Sequence, residues 1–165
     1  MRGTFFRLAT VLTLTGLLGV SPALAEPKPI GGKLLKLKTD KGSAKNLFLF
    51  KAVAQAAIAA IPDPTDGTTL LLRWQTATGD GRTDSIGLTD SLWTGLGKPA
   101  GSKGWKYSDR EAARGGVKIL LIKPGGRGGL LKVLAKGSDW SGEPGAAVLS
   151  SSLDLYLGDD HYCAD

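Results

Sequence analysis

The chain has 165 residues, with 21 lysines and arginines against 15 aspartates and glutamates, a formal net charge of +6, one cysteine and one histidine. This inventory excludes an intramolecular disulfide and a zinc site built from nitrogen and sulfur ligands. Zinc and haem chemistry are therefore not expected. Cys163 is either a reduced thiol or one half of an intermolecular disulfide that would link a dimer.

The first 25 residues predict a secretory signal peptide. Arg2 and Arg7 accompany an apolar run at residues 8–20, and Ala23-Leu24-Ala25 is a small-x-small cleavage site. The run is shorter than a membrane helix, and no cysteine follows the site to carry a lipid. We expect a secreted or periplasmic protein, cleaved near Ala25, without a membrane anchor. The expected organisation is a signal peptide at 1–25, a flexible leader at 26–32 and one β domain at 33–165.

Alternating apolar and polar residues in the rest of the chain predict short strands. Leu35 and Leu37 alternate with lysines, whereas residues 47–50 are apolar on both faces, which is typical of a more central strand. Glycine-rich turns at Gly79-Asp80-Gly81 and at residues 124–129 predict two hairpins. About nine short strands in this arrangement indicate an antiparallel all-β sandwich or barrel.

One segment departs from the strand pattern. Residues 52–61 are rich in alanine and carry aliphatic side chains at helical spacing, and Pro62 follows directly. We therefore predict one short helix near residues 52–61.

Charge is distributed unevenly along the chain. Residues 98–136 contain ten basic residues against Asp109 and Glu111, whereas residues 139–165 contain six acidic residues and no lysine or arginine. One interpretation is that the basic segment steers an anionic partner to one surface. The favoured interpretation is that oppositely charged strands are neighbours and pair across a sheet. No nucleic-acid-binding signature is present, so nucleic acid is not an expected partner.

The stretch "WTGLGKPAGSKGWKY", residues 93–107, contains the sharpest local motif. Gly95, Gly97 and Ala100 match GxGxxA, but neither a buried preceding strand nor a following helix supports a dinucleotide site. Exposed aromatic rings could instead stack on a glycan, with Trp93 and Trp140 predicted at the surface and Trp74 and Trp105 in the core. The candidate ligand-binding residues are Trp93, Lys98, Lys103, Tyr107 and Trp140.

The last third of the chain contains the candidate catalytic and metal-binding groups. His161 and Cys163 lie two apart on a predicted strand, too far apart for a direct base–nucleophile contact, so no catalytic residue is nominated. Carboxylates could hold Ca²⁺ weakly, although their spacing is not that of an EF-hand, and no other cofactor is expected. The candidate metal ligands are Asp154, Asp159, Asp160 and Asp165.

The ordered motifs "GSAKNLFLFKA", "WTGLGKPAGSKGWKYSD", "VKILLIKPG", "LLKVLAKG" and "YCA" resemble an uncharacterised β-rich module of secreted bacterial proteins. The resemblance spans residues 34–164, and it implies an exported β domain without an assigned activity. It also implies cysteines at the positions of Val117 and Ala135, which this chain lacks, and a loop where the helix is predicted. Together these observations predict a binding or structural module with a glycan or protein partner. The alternatives are a carbohydrate-binding module and an exported hydrolase.

Overall fold

Strands form nearly all of the regular secondary structure. The computed structural model describes residues 27–38, 47–53, 60–83, 85–126, 129–137 and 148–164. Six strands form sheet I: β1 (Pro27–Pro29), β4 (Thr68–Thr76), β5 (Gly79–Arg82), β6 (Ile86–Leu88), β11 (Val148–Leu157) and β12 (Asp160–Ala164). Six form sheet II: β2 (Gly31–Lys38), β3 (Leu47–Val53), β7 (Trp93–Gly95), β8 (Trp105–Ser108), β9 (Val117–Lys123) and β10 (Leu130–Lys136).

The two sheets are open and mostly antiparallel. Sheet I has the order β1-β12-β11-β4-β5, with β6 also paired to β4, and sheet II has the order β2-β3-β10-β9-β8-β7. The all-β prediction is confirmed, but the described residues form twelve strands and not nine, and the sheets do not close into a barrel. The difference in number arises because β1, β5 and β7 are strands of three or four residues with no alternation long enough to read from the sequence.

Both sheets contribute to one hydrophobic core. In β11, Leu153, Leu155 and Leu157 point inwards and are completely buried. In sheet II, Leu120 of β9 and Leu131 of β10 are buried to the same extent, and all five residues belong to a single cluster. Burying a leucine side chain contributes about 1.5–3 kcal/mol. In β11 the alternation of inward leucines with outward polar residues therefore fixes the register of the strand.

Among the described residues, the favoured interpretation of the charge pattern is wrong. The basic strands β8, β9 and β10 lie in sheet II, whereas β11 and β12, which carry Asp154 and Asp160, lie in sheet I. The chain changes sheets between β10 and β11, so the lysines of β10 have no acidic neighbours on adjacent strands. Their cross-strand partners belong to β3 and β9, which are also basic or apolar.

Three local expectations differ from the structure. Residues 27–29 of the expected leader form β1, which pairs in parallel with β12, and Ile30 is buried. Ala52 and Val53, at the start of the predicted helix, belong to β3 because they continue its alternation, and residues 54–59 lie outside the described residues. The turn predicted at residues 79–81 is strand β5, and the chain reverses at residues 77–78.

The predicted signal peptide, residues 1–25, lies outside the part of the chain that the structure describes. Within the described ranges, no helix has both the length and the apolar character needed to cross a membrane.

The loop between β7 and β8 is a compact turn. The Leu96 amide donates to the Gly104 carbonyl oxygen at 2.8 Å, and the Lys103 amide donates to the Leu96 carbonyl oxygen at 2.8 Å. Gly104 has φ +95°, and a Cβ atom built there would lie 2.1 Å from the carbonyl oxygen of Ile122. Of the GxGxxA motif, Gly95 ends β7 and Gly97 lies in this turn, which packs against β9 through Gly104.

We predict that Gly104→Ala destabilises the protein by about 3 kcal/mol, because the new methyl group meets backbone and the positive φ strains any other residue. Gly87→Ala is the matched control, since a Cβ atom at Gly87 has open space around it. Chemical denaturation of both variants checks the difference. Equal free energies of unfolding would contradict this packing of the loop.

Candidate functional site

A groove of about 920 Å³ lies where β4, β5 and β11 meet in sheet I. Most of its lining residues are polar or charged, although apolar atoms contribute more of the lining surface than polar atoms: they are Arg73, Trp74, Gln75, Asp80, Gly81, Arg82, Ser150, Ser151 and Ser152. β5 is the last strand on this side of the sheet, so the groove opens at a sheet edge. The position suits a ligand site, because concave surfaces with a few converging polar groups are where small molecules bind.

Two arginines face each other across the strands that line the groove. Arg73 of β4 is directly opposite Arg82 of β5 in the register, so both side chains leave the same face of the sheet. Ser152 of β11 is the partner of Arg73 on its other side. Like charges placed directly opposite each other are unfavourable unless a counter-charge lies nearby.

The counter-charge for Arg73 is Asp154 of β11. Arg73 donates from Nη1 to Oδ2 of Asp154, and His161 Nε2 of β12 lies 2.8 Å from Oδ1. The Asp154 side chain is only 7% exposed, so this contact satisfies a nearly buried carboxylate from both sides. The ring of Tyr156 stacks on that of His161 with centroids 4.3 Å apart. The cluster joins three neighbouring strands on the outer face of sheet I.

Arg82 has no such partner. Among the described residues no ion pair or side-chain hydrogen bond involves its guanidinium, and the residue is exposed. Asp80, two residues earlier on β5 and on the same face, also lines the groove. The groove therefore holds one neutralised arginine, one unneutralised arginine and one carboxylate.

Two of the aromatic residues predicted to bind ligand, Trp93 and Tyr107, are not at the surface. Trp93 is 8% exposed and Tyr107 is completely buried, and their rings meet edge to face with centroids 5.4 Å apart. The expectation of a surface Trp93 is wrong, because the residue begins β7 and faces the core opposite Tyr107. Trp74 is buried as expected, and Trp140 lies outside the described residues.

Lys98 and Lys103 are exposed in the loop between β7 and β8, as expected. They lie at the end of sheet II, whereas the groove lies in sheet I, so the structure does not place them in the groove.

The candidate calcium ligands are separated into different interactions. Asp154 contacts Arg73 and His161. Asp160 accepts a hydrogen bond from the Tyr162 hydroxyl at 2.9 Å and forms an ion pair with Lys28 at an N–O distance of 2.5 Å. Asp159 is exposed in the turn between β11 and β12, and Asp165 lies outside the described residues. Within the described ranges, no three His, Cys, Asp or Glu residues cluster in a way that could hold a metal ion. Calcium binding stays a prediction.

Sequence reasoning named Asp154 and His161 but missed Arg73 and Arg82 as functional residues. The alternation in β4 did place Arg73 on the polar face of its strand. The missing information was the register of β5, which brings Arg82 opposite Arg73. A strand of four residues with two glycines carries no alternation that could have revealed this register.

Comparisons with known proteins identify no relative: no family model, curated protein or solved structure matches the chain significantly.

We predict that Tyr162 makes the protein sensitive to alkaline pH. Burial, followed by the contact with Asp160, raises the pKa of Tyr162 above its usual 10.0, because both disfavour the phenolate. The unfolded chain then releases this proton before the folded protein does, so the free energy of unfolding falls as pH rises above about 10. Denaturation midpoints across this range should fall less steeply for Tyr162→Phe. Identical slopes for the two proteins would contradict the assignment.

Proposed function

We propose that the protein is an exported binding module whose groove in sheet I takes a small anionic ligand, with Arg82 as the main contact. The single observation that carries the proposal is the charge pattern of the groove. Two arginines are opposite each other, and in the part of the chain that the structure describes, Arg73 but not Arg82 has a carboxylate partner. An anionic group beside Arg82 relieves the remaining repulsion, because a guanidinium binds carboxylate, sulfate or phosphate through parallel hydrogen bonds.

Serine hydroxyls complete an oxyanion-binding set. Ser150 and Ser152 of β11 leave the sheet on the same face as Gln75 and Arg73, to which they are paired, and all four line the groove. The Ser150 hydroxyl donates to Gln75 Oε1 at 3.4 Å, so the Ser152 hydroxyl and the Arg82 guanidinium supply the donors for the oxygens of a phosphate or sulfate. The ligand that fits this end of the groove therefore has a compact oxyanion.

Asp80 orients the ligand. Asp80 is opposite Gln75, two pairs further along the strands than the pair of Arg73 and Arg82. The Asp80 carboxylate would repel a second negative group of the ligand. Hydroxyl or amino groups of the ligand would instead donate hydrogen bonds to the side-chain oxygens of Asp80 and Gln75. The ligand class is thus a small molecule with one anionic group and hydrogen-bond donors at its other end, such as an acidic monosaccharide.

This proposal modifies the carbohydrate alternative. Trp74 lines the groove but is only 9% exposed, and Trp93 and Tyr107 belong to the core. A flat aromatic platform for neutral sugars therefore has no support among the described residues. Recognition of a charged group replaces stacking as the source of affinity.

The hydrolase alternative has weaker support. His161 and Asp154 make the contact that orients a histidine base, but the second oxygen of Asp154 is bound to Arg73 and Tyr156 covers one face of the imidazole. These contacts hold the His161 imidazole in one orientation. We therefore assign the pair of His161 and Asp154 to the stabilisation of sheet I.

The test is an NMR titration of the purified protein with inorganic phosphate, sulfate, glucuronate and glucose. We expect chemical-shift changes at β4, β5 and β11 with the three anions and none with glucose. Arg82→Gln should weaken phosphate binding by about tenfold or more, the range expected for a charge-assisted contact.

Lys103→Gln is the matched control, because it removes the same charge from an exposed residue outside the groove. It should change the phosphate affinity less than twofold, since an exposed charge at a distance is screened. Equal loss in both variants, or no shifts in the groove, would refute the proposal. Amide spectra of the free variants establish that each is folded.

A further inference from the structure

The outer face of sheet II combines lysines with aliphatic side chains. The register places Leu34, Lys51, Lys132, Leu121 and Lys106 in one continuous row across five neighbouring strands, from β2 to β8. The next row contains Lys36, Leu49, Leu134 and Ile119. We call these two rows the lysine face. None of the six strands of this sheet contains an aspartate or a glutamate.

The positive charges of the lysine face are not neutralised within the described residues. Lys51 is directly opposite Lys132 in the centre of the sheet, where neighbouring like charges are unfavourable. No ion pair of the described residues includes either side chain, and the acidic residues of β11 and β12, Asp154 and Asp160, belong to sheet I. A folded protein that keeps such a pair at the centre of a sheet presents it to an anionic partner.

Aliphatic side chains flank the pair of Lys51 and Lys132 on both sides. Leu49, Leu121 and Leu134 are partly exposed at the centre of the face, and Leu34 is 46% exposed at its edge. Six strands at about 4.8 Å spacing make the sheet roughly 25 Å wide. The face therefore offers a broad surface on which charge and apolar area alternate.

We propose that the lysine face docks the protein on an anionic lipid surface. Lysines over lipid headgroups gain electrostatic attraction while their alkyl stems and the neighbouring leucines contact the apolar boundary beneath. A soluble polyanion would satisfy the lysines but leave the leucines in water. A second copy of this chain, packed face to face, would bring the lysines of one copy against those of the other. A face that carries charges of one sign is not complementary to itself.

The experiment is co-sedimentation of the purified protein with vesicles of phosphatidylcholine, with and without about one third phosphatidylglycerol. We expect binding to the anionic vesicles only, and its loss at about 1 M salt, where the Debye length is about 3 Å. The double variant Lys51→Gln/Lys132→Gln should bind about thirtyfold more weakly, since each lysine near an anionic surface contributes about fivefold. Binding to neutral vesicles alone, or to neither kind, would overturn the proposal.

Lys98→Gln/Lys103→Gln is the matched control, because it removes two exposed lysines from the loop outside the face. Its vesicle binding should stay within twofold of the unmodified protein, and equal loss in the two double variants would overturn the assignment to this face. Leu34→Gln changes an exposed edge residue and should weaken vesicle binding severalfold without affecting the fold.

Two further measurements distinguish a lipid surface from a soluble polyanion and from a second copy of this chain. Double-stranded DNA of the same total charge should bind more weakly than anionic vesicles and should be insensitive to Leu34→Gln. DNA binding of equal strength would identify a soluble polyanion and overturn the lipid proposal. A dimer in light scattering that Lys51→Gln disperses would identify a second copy and also overturn it. None of these variants touches the groove of sheet I, so failure here leaves the proposed anion site untouched.

Discussion

The contact of Asp154 with Arg73 and His161 organises one side of the molecule. Asp154 is on the outer face of β11 between two inward leucines, so the register that buries Leu153 and Leu155 also places its carboxylate between the neighbouring strands β4 and β12. A carboxylate this well buried requires partners, and the guanidinium and the imidazole supply them. Because Arg73 is committed to Asp154, Arg82 remains available to a ligand.

The path of the chain separates the remaining charges. After β10 the chain leaves sheet II, and the acidic last third completes sheet I with β11 and β12. Sheet I thereby gains carboxylates that neutralise particular cations, such as Lys28 and Arg73. Among the described residues, no ion pair neutralises the lysines of sheet II. One topological feature thus underlies both the selective groove in sheet I and the broad cationic surface of sheet II.

The sequence predicted the fold class because long strands alternate clearly, as Leu153, Leu155 and Leu157 do in β11. The sequence-based prediction failed where the result depends on which strands are neighbours in a sheet and not on the alternation of residues within one strand. The path from β10 to β11 determines which charges meet, and the four residues of β5 carry no periodic signal for the register that brings Arg82 to Arg73. Trp93 was misplaced for the same reason, since a strand of three residues is recognisable only once its partner β8 is known.

The central claim is that Asp154 neutralises Arg73 and leaves Arg82 as the contact for the ligand. It is tested most directly by a double-mutant cycle on phosphate affinity, with Asp154→Asn and Arg82→Gln measured singly and together. Asparagine keeps an oxygen for hydrogen bonding but releases the charge of Arg73. The account predicts that Asp154→Asn strengthens phosphate binding severalfold and that Arg82→Gln then costs less affinity than it does in the unmodified protein. Unchanged or weaker phosphate binding by a folded Asp154→Asn variant would contradict it.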